Sequence, residues 1–287
     1  MTEIQTYTLD APGATIAYDV AEVPGSTSPK LLMVGSPMDA GGFKDLAERF
    51  TDRTVVRYDP RGAGRSTKAD PSSESTPDQH ADDVRRVIEA VGGPVDVFAS
   101  SGGAVNMLAL VAQHPDLVRV LVAHEPPAAA SLPDRDNALA AIKHLKETYE
   151  ARGGGWGMAG FIALTSHEGE FPADWADRPA PDPAMMGMPG EDDGKRDDVL
   201  LGQNLISCTH YEHDFDALKA ASTRIVPAVG VESAGQMAYR GGVAVADRLG
   251  VAPVEFPSHH GGFIGDNPWM KGDPDGFAAK LREVLDN

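Results

Sequence analysis

One cysteine stands among 287 residues. Cys208 therefore has no partner within the chain, which excludes an internal disulfide framework and a cysteine-rich zinc site. Basic side chains are also scarce, 25 against 43 acidic, and the resulting formal charge of −18 repels phosphate backbones and anionic lipid. Nucleic acid and membrane surfaces are not expected partners. No run approaches the roughly 20 apolar residues of a membrane-spanning helix, and the opening MTEIQTYTLDAPG lacks the basic and then apolar pattern of a secretory signal. The expectation is a soluble, cytoplasmic protein. Internal repeats and long blocks of like charge are likewise missing. What remains is a chain with 41% apolar residues, long enough to bury a substantial core as one large domain, or as a core with one inserted lobe.

Through the first half, β-branched apolar runs alternate with helix-like stretches, the pattern of a mostly parallel sheet covered on both faces. Strands are predicted at Thr15–Val20, Leu31–Gly35, Thr54–Asp59, Pro94–Ser100 and Val118–His124, with crossover helices at Thr76–Val91 and Gly102–His114. After Glu125 the rhythm breaks until Arg224–Gly230, which is followed by a helix at Gln236–Leu249, a strand at Val251–Phe256 and a closing helix at Pro274–Leu285. The interruption, residues 126–222, reads as a lid inserted into a core made of residues 1–125 and 223–287. Within it Asn137–Ala151 and Val199–Leu218 look helical, whereas Gly153–Gly157 and Pro172–Gly194 are rich in Gly, Pro and Asp and are predicted to be irregular.

The segment Pro94–Leu108 runs a buried strand straight into a helix through Ala99-Ser100-Ser101-Gly102-Gly103. A serine on so sharp a turn has a strained backbone and tolerates only small residues two positions before and after it, which Ala99 and Gly103 satisfy around Ser101. The turn lifts the hydroxyl to the sheet's carboxyl edge, beside a helix N-terminus whose free amides stabilise negative charge. Ser101 is the candidate nucleophile. A plain helix-capping or phosphate-binding turn is the rival reading, but no G-x-G-x-x-G follows the first buried strand, and the segment Arg61–Ser66 lacks both the spacing and the lysine of a P-loop.

With Leu31–Met38 (LLMVGSPM), Tyr58–Ser66 (YDPRGAGRS), Ala99–Gly103 (ASSGG) and Phe256–Phe263 (FPSHHGGF) in this order, the sequence resembles the α/β-hydrolases over nearly the whole chain outside the lid. The resemblance implies an eight-stranded, mostly parallel sheet with helices on both faces and a mainly helical lid. It also implies an oxyanion hole formed by the backbone N–H groups of Gly102 and Ser36, Pro37 having none to offer. The family's histidine precedes a small residue and lies three before an aromatic, which selects His260 as general base and leaves His259 beside it.

The acid has two candidates. Glu125 ends the strand next in order after the one carrying Ser101, and some family members, including the zearalenone-lactonase-like group, place a glutamate there. Glu232 lies in Gly230-Val-Glu-Ser233, where serine occupies the position of the family's frequent aspartate. Glu125 is preferred because parallel neighbours lie about 4.8 Å apart and Pro126-Pro127 pins the strand exit.

Asp59 and Arg61 are expected to bond each other or nearby backbone in a structural turn. His210 and His213 match no zinc motif and are assigned to surface or interface packing; no metal and no cofactor are expected. Met38, Trp156, Met158, Phe161, Trp175, Met185, Met186 and Met188, with Phe171, form a soft apolar set, part of which should line a substrate pocket. The expected activity is hydrolysis of a carboxylic ester or lactone of a largely apolar small molecule through an acyl-enzyme. A cofactor-free perhydrolase or haloperoxidase-like enzyme, and a noncatalytic ligand-binding receptor on the same fold, are the alternatives.

Overall fold

The computed structural model describes residues 3–266 and 271–287. The strands are β1 (Ile4–Ala11), β2 (Ala14–Ala21), β3 (Leu31–Val34), β4 (Val55–Tyr58), β5 (Thr67–Lys68), β6 (Val95–Ser100), β7 (Val118–His124), β8 (Arg224–Gly230) and β9 (Val254–Phe256). They form one sheet in the order β1-β2-β4-β3-β6-β7-β8-β9, with the two-residue β5 attached to β2. β1–β2 and β2–β4 are antiparallel, and every pair from β4 to β9 is parallel. β1 is an element the alternation did not suggest: its residues are mostly exposed, so it carries little period-2 signal. The Pro12-Gly13 turn, with Gly13 at φ +71°, was the available sign of its hairpin.

Alternate residues of each strand feed opposite cores, as the pleat requires. Leu32, Val34, Val97 and Ala99 join one cluster with α2 (Pro77–Val91), α3 (Gly102–Gln113), α7 (Phe215–Ala220) and α8 (Met237–Leu249). Leu31, Met33, Phe98 and Val122 join the other with α1 (Lys44–Ala47) and α9 (Pro274–Asp286). The central strands are buried on both faces, hence their unbroken apolar runs. α2 begins where the sequence shows a capping box, with Thr76 and Gln79 each accepting the other's backbone N–H.

Between β7 and β8 a third apolar cluster forms around α4 (Arg135–Arg152), with Ala138, Ile142, Leu145, Phe171, Leu201 and Leu205 buried in it. Two expectations fail here. Gly153–Gly157 is not irregular but opens α5 (Gly154–Thr165); a Cβ on Gly157 would lie 2.8 Å from Tyr149 Cβ, so the glycine is what lets α5 lie against α4. Val199–Leu218 is not one helix: a π-helical stretch at Val199–Asn204 passes into α6 (Leu205–Thr209), the chain leaves the helix at His210, and Asp214 caps α7 anew through Ala217 N–H.

Polar contacts fasten this segment to the core: His80 Nε2 to Asn204 Oδ1 (2.7 Å), Ser207 Oγ to Ser75 O (2.6 Å), and an ion pair between Asp134 and Arg240. Asp59 and Arg61 do not bond each other. Arg61 makes a buried bidentate pair with Asp83 (2.7 Å twice), and Asp59 takes Arg65 and the Ala40 amide. No helix among the described residues is long and apolar enough to cross a membrane.

Three imidazoles are buried without charge. Burial is the leading cause that lowers the pKa of His80, His124 and His213 to about 4. In the unfolded chain a histidine takes up its proton near pH 6.5, so between about 6.5 and 4 the unfolded state binds more protons and stability falls as pH falls. Each histidine contributes a slope of up to about 1.4 kcal/mol per pH unit there. Urea midpoints measured from pH 7 to 4.5 should drop steeply, and His213→Phe, which sacrifices no hydrogen bond, should make the slope shallower. A profile that His213→Phe leaves unchanged would refute the assignment.

Candidate active site

The site lies at the carboxyl edge of the parallel strands, where β6 and β7 end at Ser100 and His124. Ser101 follows with φ 57° and ψ −130°, a conformation costly for a side chain with a Cβ. Close packing makes the turn possible: a Cβ on Gly103 would lie 2.3 Å from Val34 O and 2.9 Å from Gly35 Cα, so only glycine lets the helix start sit on β3. Among the described residues only Ser101, Glu125 (φ 46°) and Ser258 (φ 68°) combine a side chain with positive φ. All three belong to the segments singled out from sequence.

Glu125 is fully buried, and both carboxylate oxygens are used. Oε1 accepts the Gly230 N–H at 2.8 Å and Oε2 is 2.6 Å from His260 Nδ1. Burial alone would raise its pKa, but the His260 hydrogen bond, the neighbouring imidazoles and the Gly230 amide together hold it below the ordinary carboxylate value. Ser101 N–H donates to His124 O at 3.0 Å, so the serine and the glutamate leave adjacent strand ends. Glu232 is exposed; its amide donates to Ser258 O, and among the described residues its carboxylate makes no hydrogen bond or ion pair with His260. Ser101 Oγ and His260 Nε2 make no hydrogen bond among the described residues, a gap common in unliganded sites.

His259 holds the loop rather than the site. Its Nδ1 accepts the Gly261 N–H at 3.1 Å and its Nε2 faces Lys271 O at 3.1 Å, which fastens both ends of the turn carrying His260. The amides of Ser36 and Gly102 have no acceptor among the described residues. The two loops abut, since a Cβ on Gly102 would stand 2.6 Å from Ser36 O.

The apolar set is dispersed. Met158, Phe161 and Trp175 pack on the segment's own cluster, and Phe171 is buried in it. Trp156 lies under Arg152 and donates to Gly190 O, Met185 and Met186 are exposed on the surface, and Met188 is tied by its amide to Pro183 O. Met38 folds over Gly35 and Gly42 against the core. Trp175 also borders a cavity of about 150 Å³ between α4, α5 and residues 178–181, within the segment.

Over the serine turn stands instead Cys208 of α6, whose Sγ would be 3.3 Å from a Cβ on Gly102; no periodicity in the sequence pointed to it. His213 is buried between Tyr211 and Phe215, not at the surface, and His210 is half-buried beside Thr209. Among the described residues no three His, Cys, Asp or Glu side chains gather as metal ligands.

Residues 31–187 match the family model described as alpha/beta hydrolase fold. The chain is 30% identical over 277 residues, 91% of each protein, to a Bacillus subtilis protein described as uncharacterized hydrolase YraK. It belongs to the α/β-hydrolase fold family. Two solved structures share the fold over 98% of the chain: a thermophilic esterase from Thermogutta terrifontis (TM-score 0.66, 19% identity, 98% of that chain) and the enol-lactonase from Burkholderia xenovorans LB400 (0.64, 18%, 100%).

Because the obstacle to Gly103→Ala is backbone, that substitution should destabilise the protein by about 1–3 kcal/mol through overpacking. Urea denaturation is the measurement, and a variant of unchanged midpoint would show that the serine turn does not depend on this contact.

Proposed function

We propose that this enzyme is a serine hydrolase that cleaves a carboxylic ester or lactone of a largely apolar small molecule, with residues 126–222 as its lid. The observation that carries the reading is the 2.6 Å contact between His260 Nδ1 and a buried, anionic Glu125, which leaves Nε2 as the nitrogen free to take a proton. Ser101 Oγ attacks the carbonyl carbon while its proton passes to His260 Nε2, and Glu125 stabilises the imidazolium. The amides of Ser36 and Gly102 hold the developing oxyanion. Collapse expels the alkoxide, which takes the proton from His260; in a lactone it stays tethered to the acyl chain. Water, deprotonated by His260, then attacks the acyl-enzyme; the acyl–Oγ bond breaks, Ser101 Oγ takes the proton back from His260, and the acid is released. The Bacillus relative is itself described as a hydrolase, in keeping with this chemistry.

A fluorophosphonate should add its mass to Ser101, and p-nitrophenyl esters should be turned over. Ligand binding with neither would instead support a receptor on this fold. Glu125→Gln should lower kcat on the order of 10³- to 10⁴-fold, as loss of a triad carboxylate does, while the unfolding midpoint shows that the fold survives. Glu232→Gln should behave as wild type. Near-normal turnover by Glu125→Gln transfers the role of the acid to another residue.

A further inference from the structure

Ser100 and His124 immediately precede Ser101 and Glu125, face each other across β6 and β7, and are buried. Ser100 Oγ lies 3.2 Å from His124 Nδ1. Rings enclose the imidazole: Phe277 (centroids 5.3 Å apart, 83°), Phe98 (5.9 Å), Phe256 (6.1 Å) and Phe263 (6.2 Å). Its remaining neighbour is His260, 6.0 Å away with 28° between the planes. His124 Nε2 has no hydrogen-bond partner among the described residues.

The Ser100 contact bears on the tautomer. A neutral imidazole carries one proton, so the nitrogen that accepts a hydrogen bond leaves the proton on the other. With Nδ1 accepting from the Ser100 hydroxyl, the proton sits on Nε2. The same residue's carbonyl accepts the Ser101 N–H at 3.0 Å. One side chain and its own backbone thus hold consecutive serines at the point where the chain turns to φ 57°. Such a conformation persists only where neighbours over-determine it.

We propose that His124 is a positioning residue for the active site: its neutral imidazole fixes the end of β6 through Ser100, and its ring supports the plane of His260. The inference rests on reading Ser101 as the nucleophile. It explains why a polar ring occupies a box of phenylalanines that a fifth phenylalanine would fill, since phenylalanine offers Ser100 no acceptor.

The test measures the rate of fluorophosphonate labelling of Ser101, together with kcat and KM for p-nitrophenyl acetate, in Ser100→Ala, His124→Phe, the double variant and His124→Asn. Each of the first two should slow labelling and lower kcat by about tenfold, the effect of one hydrogen bond, with KM little changed. Because they remove the same contact, the double variant should be no worse than either single one. His124→Asn, whose amide oxygen can accept from Ser100, should recover part of the loss. Should His124→Phe fail to fold, Ser100→Ala, which removes only a hydroxyl, carries the test alone.

Labelling at the wild-type rate with only a lowered unfolding midpoint would make His124 a packing residue and overturn the proposal. Losses that multiply in the double variant would overturn the shared contact. Absence of labelling in the wild type itself would overturn the serine reading, and this assignment with it.

Discussion

A serine held in a left-handed backbone conformation has to be restrained from both sides, and much of this fold is arranged around that requirement. Val34 and Gly35 meet Gly103 from the β3 side at distances no Cβ could share, and the His124 carbonyl takes the Ser101 amide from the β7 side. The turn is thus clamped between its two neighbouring strands, and the parallel register of β3, β6 and β7 is what delivers the clamps. A strand order that separated these three would leave nothing to oppose the strain.

The same principle accounts for Glu125. At φ 46°, followed by two prolines, it stands in a conformation the backbone alone disfavours. Its amide donates to Ala228 O, one carboxylate oxygen takes Gly230 N–H, and the other meets His260. Beyond it, a Cβ at Gly241 would lie 2.2 Å from Pro126 O, so α8 bears directly on the strand exit. A buried carboxylate with every oxygen committed is stable only as part of this set; without His260 it would be an unpaired charge in the interior.

Much of this was legible in the sequence because the core obeys local rules. Continuous apolar runs mark strands buried on both faces, and the small residues around Ser101 mark a turn that admits nothing larger. That Glu125 lies against His260 accords with the strand adjacency on which it is preferred to Glu232. What was not legible depends on close approach between elements distant in sequence. The glycines at 153–157 look like loop residues, yet Tyr149 and Leu201 occupy the space a Cβ on Gly157 would need. Arg61 finds Asp83 rather than Asp59 because α2 presents an acid that local spacing cannot reveal. The aromatic and methionine inventory of residues 156–188 has the composition of a pocket, yet a segment of nearly 100 residues must first bury a core of its own, and several of those side chains serve that need.

That diversion of apolar residues bears on how the segment meets the sheet. Its apolar cluster around α4 takes in Met237 and Ala244 of α8, and Ala128, Phe215 and Leu218 of the same segment are buried in the sheet's own cluster; the polar contacts of Asn204 with His80, Ser207 with Ser75 O and Asp134 with Arg240 add to these. Hydrogen bonds and ion pairs of this kind contribute modestly and directionally, whereas apolar burial resists any separation of the surfaces. The segment is thus held to the sheet by apolar burial as well as by directional contacts. α6 meets the serine turn through Cys208, so the short helix that the interrupted Val199–Leu218 pattern produces stands over that turn, whereas Met185 and Met186 lie exposed at the surface.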